Sequence, residues 1–255
     1  MYTKIALFAN HLPGLEVAKY LSDHKSSEIS VLYLSDQNKE NDKEIELISK
    51  VNKDNIFRGN TVKDDDHIKW FIDQKFDAII CVYWPWLLKK EIFSSVQTTL
   101  NFHPALLPIN RGWFPHVHSL IDGSKAGVTL HQIADGADTG SIWIQEEEKI
   151  LPTDTAKSIY LRLQEKIVKL FIENWDKIIS GQIQTTIQNE NLAIYRPKKA
   201  IEKVDFIDVN QKMCVKDLIN LLRARSFGDL GFAYIEEDNE KVFLNLRLSK
   251  EVKFK

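Results

Sequence analysis

A chain of 255 residues with 44% hydrophobic and 27% charged residues is long enough to bury a full core, and its net charge of −2 supplies no global basic field for nucleic acid. Cys81 and Cys214 form neither a disulfide framework nor a metal-ligand spacing, and they read as reduced thiols of a cytoplasmic protein. The apolar run within Met1–Ala9 is too short for a signal-peptide core, and no stretch approaches the ~20 apolar residues of a membrane helix.

In chain order, Lys4–Ala9 reads as a buried strand broken by Asn10, His11, Pro13 and Gly14. A helical pattern starts at Leu15 and runs through Val17, Ala18 and Leu21, and Ile29–Leu34 is a second strand. This opening begins a doubly wound parallel sheet. Gly14 alone is no dinucleotide fingerprint. Asn10 and His11 fall where such sheets keep ligands, yet read first as a turn former and a surface histidine. Asn38–Asn52 carries a helix with Ile45, Leu47 and Ile48 on one face, and Ile56-Phe57 a short strand. Asp64–Gln74 is an amphipathic helix whose opening Asp64-Asp65-Asp66 suits the positive end of the helix dipole rather than a metal. Asp77–Tyr83 reads as a strand, apolar after Asp77 and of the kind buried on both faces. The Tyr83-Trp84-Pro85-Trp86-Leu87-Leu88 segment after it is either core packing or the wall of a ligand slot.

A short helix over Glu91–Val96 leads to the strand Thr98–Asn101 and then to Asn101-Phe102-His103-Pro104. Side chains two apart on an extended segment share a side, and a residue before proline stays extended, so Asn101 and His103 project together from a strand end. An amide donor beside a titratable ring suits reactions that make an oxyanion and move a proton. Beyond it, Phe114–Asp122 is a helix started by Pro115, Gly127–Ile133 a strand of period two, and Asp135–Gly140 a loop dense in turn formers. Ser141–Ile150 is a strand, and a long helix capped by Thr153 or Asp154 presents Ile159, Leu163, Ile167, Leu170, Phe171 and Ile178 before Gly181 ends it. Ile183–Ile187 and Ala193–Arg196 read as short strands, Val215–Arg225 as a helix, and Phe232–Glu236 with Lys241–Leu248 as a hairpin. The fold class is therefore α/β: a doubly wound, mostly parallel sheet over residues 1–181, with a small mixed α+β C-terminal subdomain over residues 182–255.

No serine or cysteine sits in a nucleophile elbow, and His103, His116, His118 and His131 match no metal spacing, so no metal is expected. His131, inside a strand, reads as a packed residue. The polar groups that stand out are Asn101, His103 and Asp138.

Asn101-Phe102-His103-Pro104-Ala105-Leu106-Leu107-Pro108 followed by Arg111-Gly112 resembles the signature of the formyltransferases that use N10-formyltetrahydrofolate. Gly127-Val128-Thr129-Leu130-His131 with Asp138-Thr139-Gly140 is similar to their second motif, and Tyr83–Lys89 to a segment of their folate slot, in the same order, so that the resemblance covers roughly Lys4–Gly181. Ala105 stands where serine is usual, Asn110 where tyrosine is frequent, and Trp84-Pro85 where glycine is frequent. The resemblance implies that His103 takes a proton from an attacking amine, Asn101 hydrogen-bonds the oxyanion, and Asp138 orients His103. It implies a pterin slot lined by Trp86, Leu87, Leu88, Ile133, Ala134, Asp135 and Gly136, with N10-formyltetrahydrofolate as co-substrate. The family acts on methionyl-tRNA, glycinamide ribonucleotide or nucleotide-linked amino sugars, and its hydrolases use water.

The short tail and near-neutral charge disfavour the tRNA branch, and the first loop lacks the glycine-rich phosphate site of the ribonucleotide branch. The expectation is a dTDP-linked amino-dideoxy sugar, formylated for a surface polysaccharide such as the O-antigen of lipopolysaccharide, by a cytoplasmic homodimer without nucleic-acid or membrane partners. Arg111, Trp113 and His116 are then candidates for the sugar side. Arg196, Lys198 and Lys199, which read first as a solvated basic face, are candidates for the diphosphate. A formyltransferase acting on methionyl-tRNA or another small amine, a formyltetrahydrofolate hydrolase and a non-catalytic binding module are the alternatives.

Overall fold

The computed structural model describes residues 3–37 and 39–251; the start of the predicted N-terminal run, Asn38 at the head of the expected Asn38–Asn52 helix and the last four residues lie outside them. The elements in order are β1 (Thr3–Ala9), α1 (His11–Asp23), β2 (Ser27–Leu34), α2 (Asp42–Ser49), β3 (Ile56–Arg58), α3 (Asp65–Asp73), β4 (Ala78–Val82), α4 (Lys90–Phe93), β5 (Thr98–His103), β6 (Arg111–Gly112), α5 (Pro115–Asp122), β7 (Ala126–His131), β8 (Ile142–Glu148) and α6 (Ala156–Ile179). After them come β9 (Tyr195–Arg196), α7 (Val215–Ala224), β10 (Ser226–Phe227), β11 (Leu230–Gly231), β12 (Ala233–Glu237) and β13 (Glu240–Leu244).

A seven-stranded sheet runs β3-β2-β1-β4-β5-β7-β8. The pairs β1–β2, β1–β4, β2–β3 and β4–β5 are parallel, and β7 is antiparallel to β5. Chain order reverses between β1 and β4, which is where open α/β sheets place ligands, beyond the strands' carboxyl ends. Asn10 marks that point: its Nδ2 donates to Tyr83 O at 2.9 Å and its Oδ1 accepts from Ser35 N at 3.2 Å, tying three strand ends together. An apolar cluster of Phe8, Tyr33, Phe71, Ile79 and Cys81 fills the space beside these strands, and Leu88 and Ile92 join it.

Several local expectations are corrected. The first helix begins at His11 rather than Leu15, because Pro13 is tolerated in a first turn that needs no N–H partner. Leu47 is 81% exposed, since i and i+2 do not share a helix face, whereas Ile45 is buried. Among the described residues Ile183–Ile187 forms one antiparallel bridge, Ile142 to Thr186, rather than a strand, and the predicted strand Ala193–Arg196 shortens to Tyr195-Arg196. Asp64 caps α3 as expected, its carboxylate accepting from the backbone N–H groups of Asp66 and His67.

The chain divides into two compact units that are not successive stretches: residues 1–103, 129–145 and 164–189 form one, and residues 104–128, 146–163 and 190–255 the other. In the second, β6 pairs in parallel with β9, α5 packs with α7, and β12 and β13 form the expected hairpin, turned by Asp238 and Asn239 at φ of 50° and 66°.

Candidate active site

Asn101 and His103 leave β5 on the same side, as their spacing requires. β7 pairs Asn101 with His131 and His103 with Thr129, so the antiparallel neighbour brings a second imidazole to the site. Asp138 comes from the loop between β7 and β8. Its Oδ2 lies 3.4 Å from His103 Nδ1, and its Oδ1 accepts from Asn101 Nδ2 at 3.2 Å. Asn101 Nδ2 also donates to His131 Nε2 at 3.0 Å, while His131 Nδ1 meets Gln132 O at 2.7 Å. A ring nitrogen facing a carbonyl oxygen carries the proton, so His131 is protonated on Nδ1 and accepts through Nε2. The same logic puts a proton on His103 Nδ1, facing the carboxylate, and leaves Nε2 as the basic nitrogen of the neutral ring. His103 is 4% exposed, which strengthens its electrostatic coupling to Asp138.

The loop that carries Asp138 is closed on itself. Gln132 N donates to Ser141 O at 2.8 Å, and Thr139 Oγ1 donates to Asp135 O at 2.8 Å. Asp138 holds a left-handed φ of 55°, a conformation uncommon outside glycine, asparagine and aspartate. Gly140 permits the closure: a Cβ there would lie 1.7 Å from Gln132 O. Gly140→Ala is therefore expected to push the loop off β7 and lower turnover by about 10²-fold, the scale of a misplacement of about 1 Å. Wild-type kcat in the folded variant would refute this.

The expected pterin slot lies in the same unit. Trp84, Leu88 and Ile133 share the apolar cluster, and Lys90 Nζ is 3.7 Å from Asp135 Oδ2, so the segments 84–90 and 133–136 meet. Trp86 stacks edge-on to Trp84, Leu87 is 67% exposed, and Asp135 and Gly136 are at the surface. The Trp84 indole N–H is buried with no hydrogen-bond partner among the described residues. Aromatic and apolar walls, surface backbone at Ala134–Gly136 and an unsatisfied donor fit a flat heterocycle with polar edges. Of the two readings of Trp84-Pro85-Trp86, core packing holds for Trp84, which meets Phe8 edge-on, while Trp86 is only partly buried.

The remaining predicted residues belong to the second unit. The Arg111 guanidinium is buried and donates to both carboxylate oxygens of Glu190, at 2.9 and 2.6 Å. Gly112 in that motif is structural: its φ is 92°, and a Cβ would sit 2.5 Å from Arg196 O across the β6–β9 pair. Arg196 donates to Asn110 Oδ1 at 3.1 Å and to Asp122 Oδ2 at 2.6 Å. Lys198 Nζ stands 4.8 Å above the Trp113 ring, and Lys199 is exposed in the short turn Lys198–Ala200. His116 is buried and stacks on Tyr160 at 4.9 Å.

His116 and His118 give this unit an acid weakness. Burial first, then His118 and Arg225, push the His116 imidazole down from 6.5 to about 3. Burial first, then Arg196 and Arg225 against Asp122, push His118 down to about 4. The unfolded chain then binds more protons than the folded one below pH 6.5, so stability falls as pH drops from there towards 4. Urea midpoints should decline over that range and decline less in a His116→Phe, His118→Asn protein. Equal declines in both proteins would contradict it.

Sequence reading missed His131 as a partner of Asn101, and it missed Gln188. Only strand register could have exposed the first: alternation says that His131 is buried, not that it lies opposite Asn101.

Comparison with known proteins matches residues 16–174 to the model described as Formyl transferase and residues 200–250 to the N-formyltransferase dimerization C-terminal domain. The dTDP-4-amino-4,6-dideoxyglucose formyltransferase of Mycobacterium bovis is 33% identical over 185 residues, covering 71% of this chain and 76% of its own. A 4-N formyltransferase from Francisella tularensis superposes with a TM-score of 0.86 at 24% identity, covering 98% of this chain and 99% of its own. A formyltransferase from Anoxybacillus kamchatkensis, solved with UDP-4,6-dideoxy-4-formamido-L-AltNAc and tetrahydrofolate, gives a TM-score of 0.57 at 26% identity, covering 78% of this chain and 88% of its own.

Proposed function

The chain belongs to the formyl transferase family, and from that premise we propose that it moves a formyl group from N10-formyltetrahydrofolate to the amine of a nucleotide-linked amino-dideoxy sugar, with dTDP-4-amino-4,6-dideoxyglucose the first acceptor to try. The observation that carries the chemistry is the convergence of Asn101, His103 and Asp138 within hydrogen-bonding or ion-pair reach at one strand end. Bound N10-formyltetrahydrofolate supplies the activated formyl carbon, and Trp86, Leu87, Leu88 and Ile133–Gly136 are the residues that would hold it. The chain's own groups do the rest. Asp138 keeps the His103 proton on Nδ1 and stabilises the imidazolium that forms when Nε2 takes a proton from the amine. The Asn101 amide supplies a hydrogen-bond donor for the negative charge that develops on the formyl oxygen, which requires one of its N–H groups to leave Asp138 or His131.

The choice of acceptor is supported by the name of the Mycobacterium relative and by the sugar nucleotide held by the Anoxybacillus enzyme. In this reading residues 1–181 form the catalytic domain, and residues 182–255 close over substrate or dimerise. The match of residues 200–250 to a dimerization domain supports a homodimer. Among the described residues no helix is long and apolar enough to cross a membrane. The reading is of a cytoplasmic enzyme supplying a formamido sugar to surface polysaccharide, with Lys198, Lys199 and Trp113 left as the candidates for the nucleotide sugar, since Arg111 and Arg196 are engaged with Glu190, Asn110 and Asp122 and His116 is buried on Tyr160.

The test is incubation with N10-formyltetrahydrofolate and a panel of nucleotide amino sugars, read by mass spectrometry. A gain of one formyl group on a dTDP-linked amine is expected. Formate released equally without acceptor, or formyl found only on methionyl-tRNA, would overturn the acceptor assignment.

A further inference from the structure

Gln188 lies on the extended stretch after α6, far in sequence from every residue that touches the reacting groups, and it is 5% exposed. Its Nε2 donates to Asp138 O at 2.8 Å and to Gly140 O at 2.6 Å. A primary amide has two N–H groups, and both are spent on carbonyls two residues apart in the loop that carries the catalytic carboxylate. The stretch is held in register by a pair of bonds: Ile142 N to Thr186 O and Thr186 N to Ile142 O, each 2.8 Å. Gln188, two residues beyond Thr186, therefore meets the loop from a fixed anchor on β8.

The loop needs such an anchor. Asp138 sits at φ 55°, a conformation that the surroundings must over-determine if it is to persist, and Gly140 presses directly on Gln132. The side-chain contacts of Asp138, at 3.2 Å to Asn101 and 3.4 Å to His103 and His131, are each long enough that a small rotation of its backbone would break them.

We propose that Gln188 is a positioning residue for the reaction: its amide clamps the backbone on both sides of Thr139, so that the Asp138 carboxylate stays within reach of His103 and Asn101. Its kinetic consequence rests on the formyl-transfer reading above; its effect on His103 does not. The charged and titratable groups facing His103 in this unit include Asp138 and, with ring centroids 6.3 Å apart, His131. A carboxylate held close favours the imidazolium, so loosening it favours the neutral ring.

The experiment compares wild type, Gln188→Ala and Gln188→Glu. In Gln188→Ala, kcat should fall about 10²-fold with the KM for both substrates nearly unchanged, the cost of a carboxylate displaced by about 1 Å. Ring-nitrogen NMR of histidine-labelled protein, with no substrate present, should show the His103 titration moved to lower pH. Gln188→Glu is isosteric but presents a carboxylate to two carbonyl oxygens at neutral pH and one O–H donor when protonated. Its kcat relative to wild type should therefore climb as pH is lowered. An unaltered His103 titration in the folded Gln188→Ala protein would overturn the proposal, as would a Gln188→Glu deficit independent of pH. If wild type formylates no nucleotide sugar, the acceptor reading fails while the NMR arm still decides the role of Gln188.

Discussion

His103→Gln is expected to lower kcat by about 10²–10⁴, the contribution of a positioned general base, while leaving the KM for folate and acceptor within a few-fold of wild type. The ring is 4% exposed at the end of β5, with its Nδ1 turned to Asp138 and its Nε2 the basic nitrogen. Glutamine keeps the volume and a hydrogen-bonding head but cannot accept and hold a proton. The loss should be the same for kcat and kcat/KM, because the base acts only as the amine gives up its proton. Unchanged far-UV and near-UV circular dichroism would show that the fold survives, and undiminished turnover in such a protein would remove His103 from the reaction.

Asp138→Asn should cost as much or more. Both carboxylate oxygens are in use, one facing His103 Nδ1 and the other accepting from Asn101 Nδ2. An amide can serve one of these donors with its oxygen but must present N–H to the other. If the N–H faces His103, the ring is driven to the tautomer protonated on Nε2, and the base is blocked. If it faces Asn101, two N–H groups are opposed and the oxyanion donor is displaced. Converting the orienting carboxylate of a triad to an amide lowers kcat by about 10⁴ through the wrong tautomer, and a loss of that order is expected here. Backbone changes should be small, because Gln188 and the Gly140 contact hold the loop independently of the carboxylate. Retention of more than a tenth of wild-type kcat would show that the tautomer of His103 is not what Asp138 controls.

The Asn101–His103 pair was legible because strand geometry is local. Asn101 and His103 are two residues apart before a proline, and that spacing alone places them on one side of β5. The parallel opening was legible from the apolar runs at Lys4–Ala9, Ile29–Leu34 and Asp77–Tyr83, and Gly181 closes α6 at φ 73° as its position suggested. Asp138 stood out as a polar group, but its partnership with His103 came only through resemblance, since nothing in a turn-rich loop says where it will close. The partnership of His131 with Asn101 depends on β7 running antiparallel to β5, a pairing that hydrophobic alternation does not encode. Gln188 depends on a single bridge between β8 and a stretch that alternation marked as a strand. The Arg111 motif looked like a ligand contact, but its guanidinium meets Glu190 and its glycine admits β9, both set by chain some 80 residues later that carries no matching local pattern.

The role of Asp138 in formyl transfer is tested most directly by one single-turnover measurement: enzyme in excess over N10-formyltetrahydrofolate carrying an isotopic label in the formyl group, with dTDP-4-amino-4,6-dideoxyglucose present, run side by side for wild type and Asp138→Asn. The label is predicted to appear on the sugar amine in the wild-type reaction and to stay on the folate over the same interval in the variant. Label released as formate by wild type, or transferred at the same rate by both proteins, would contradict it.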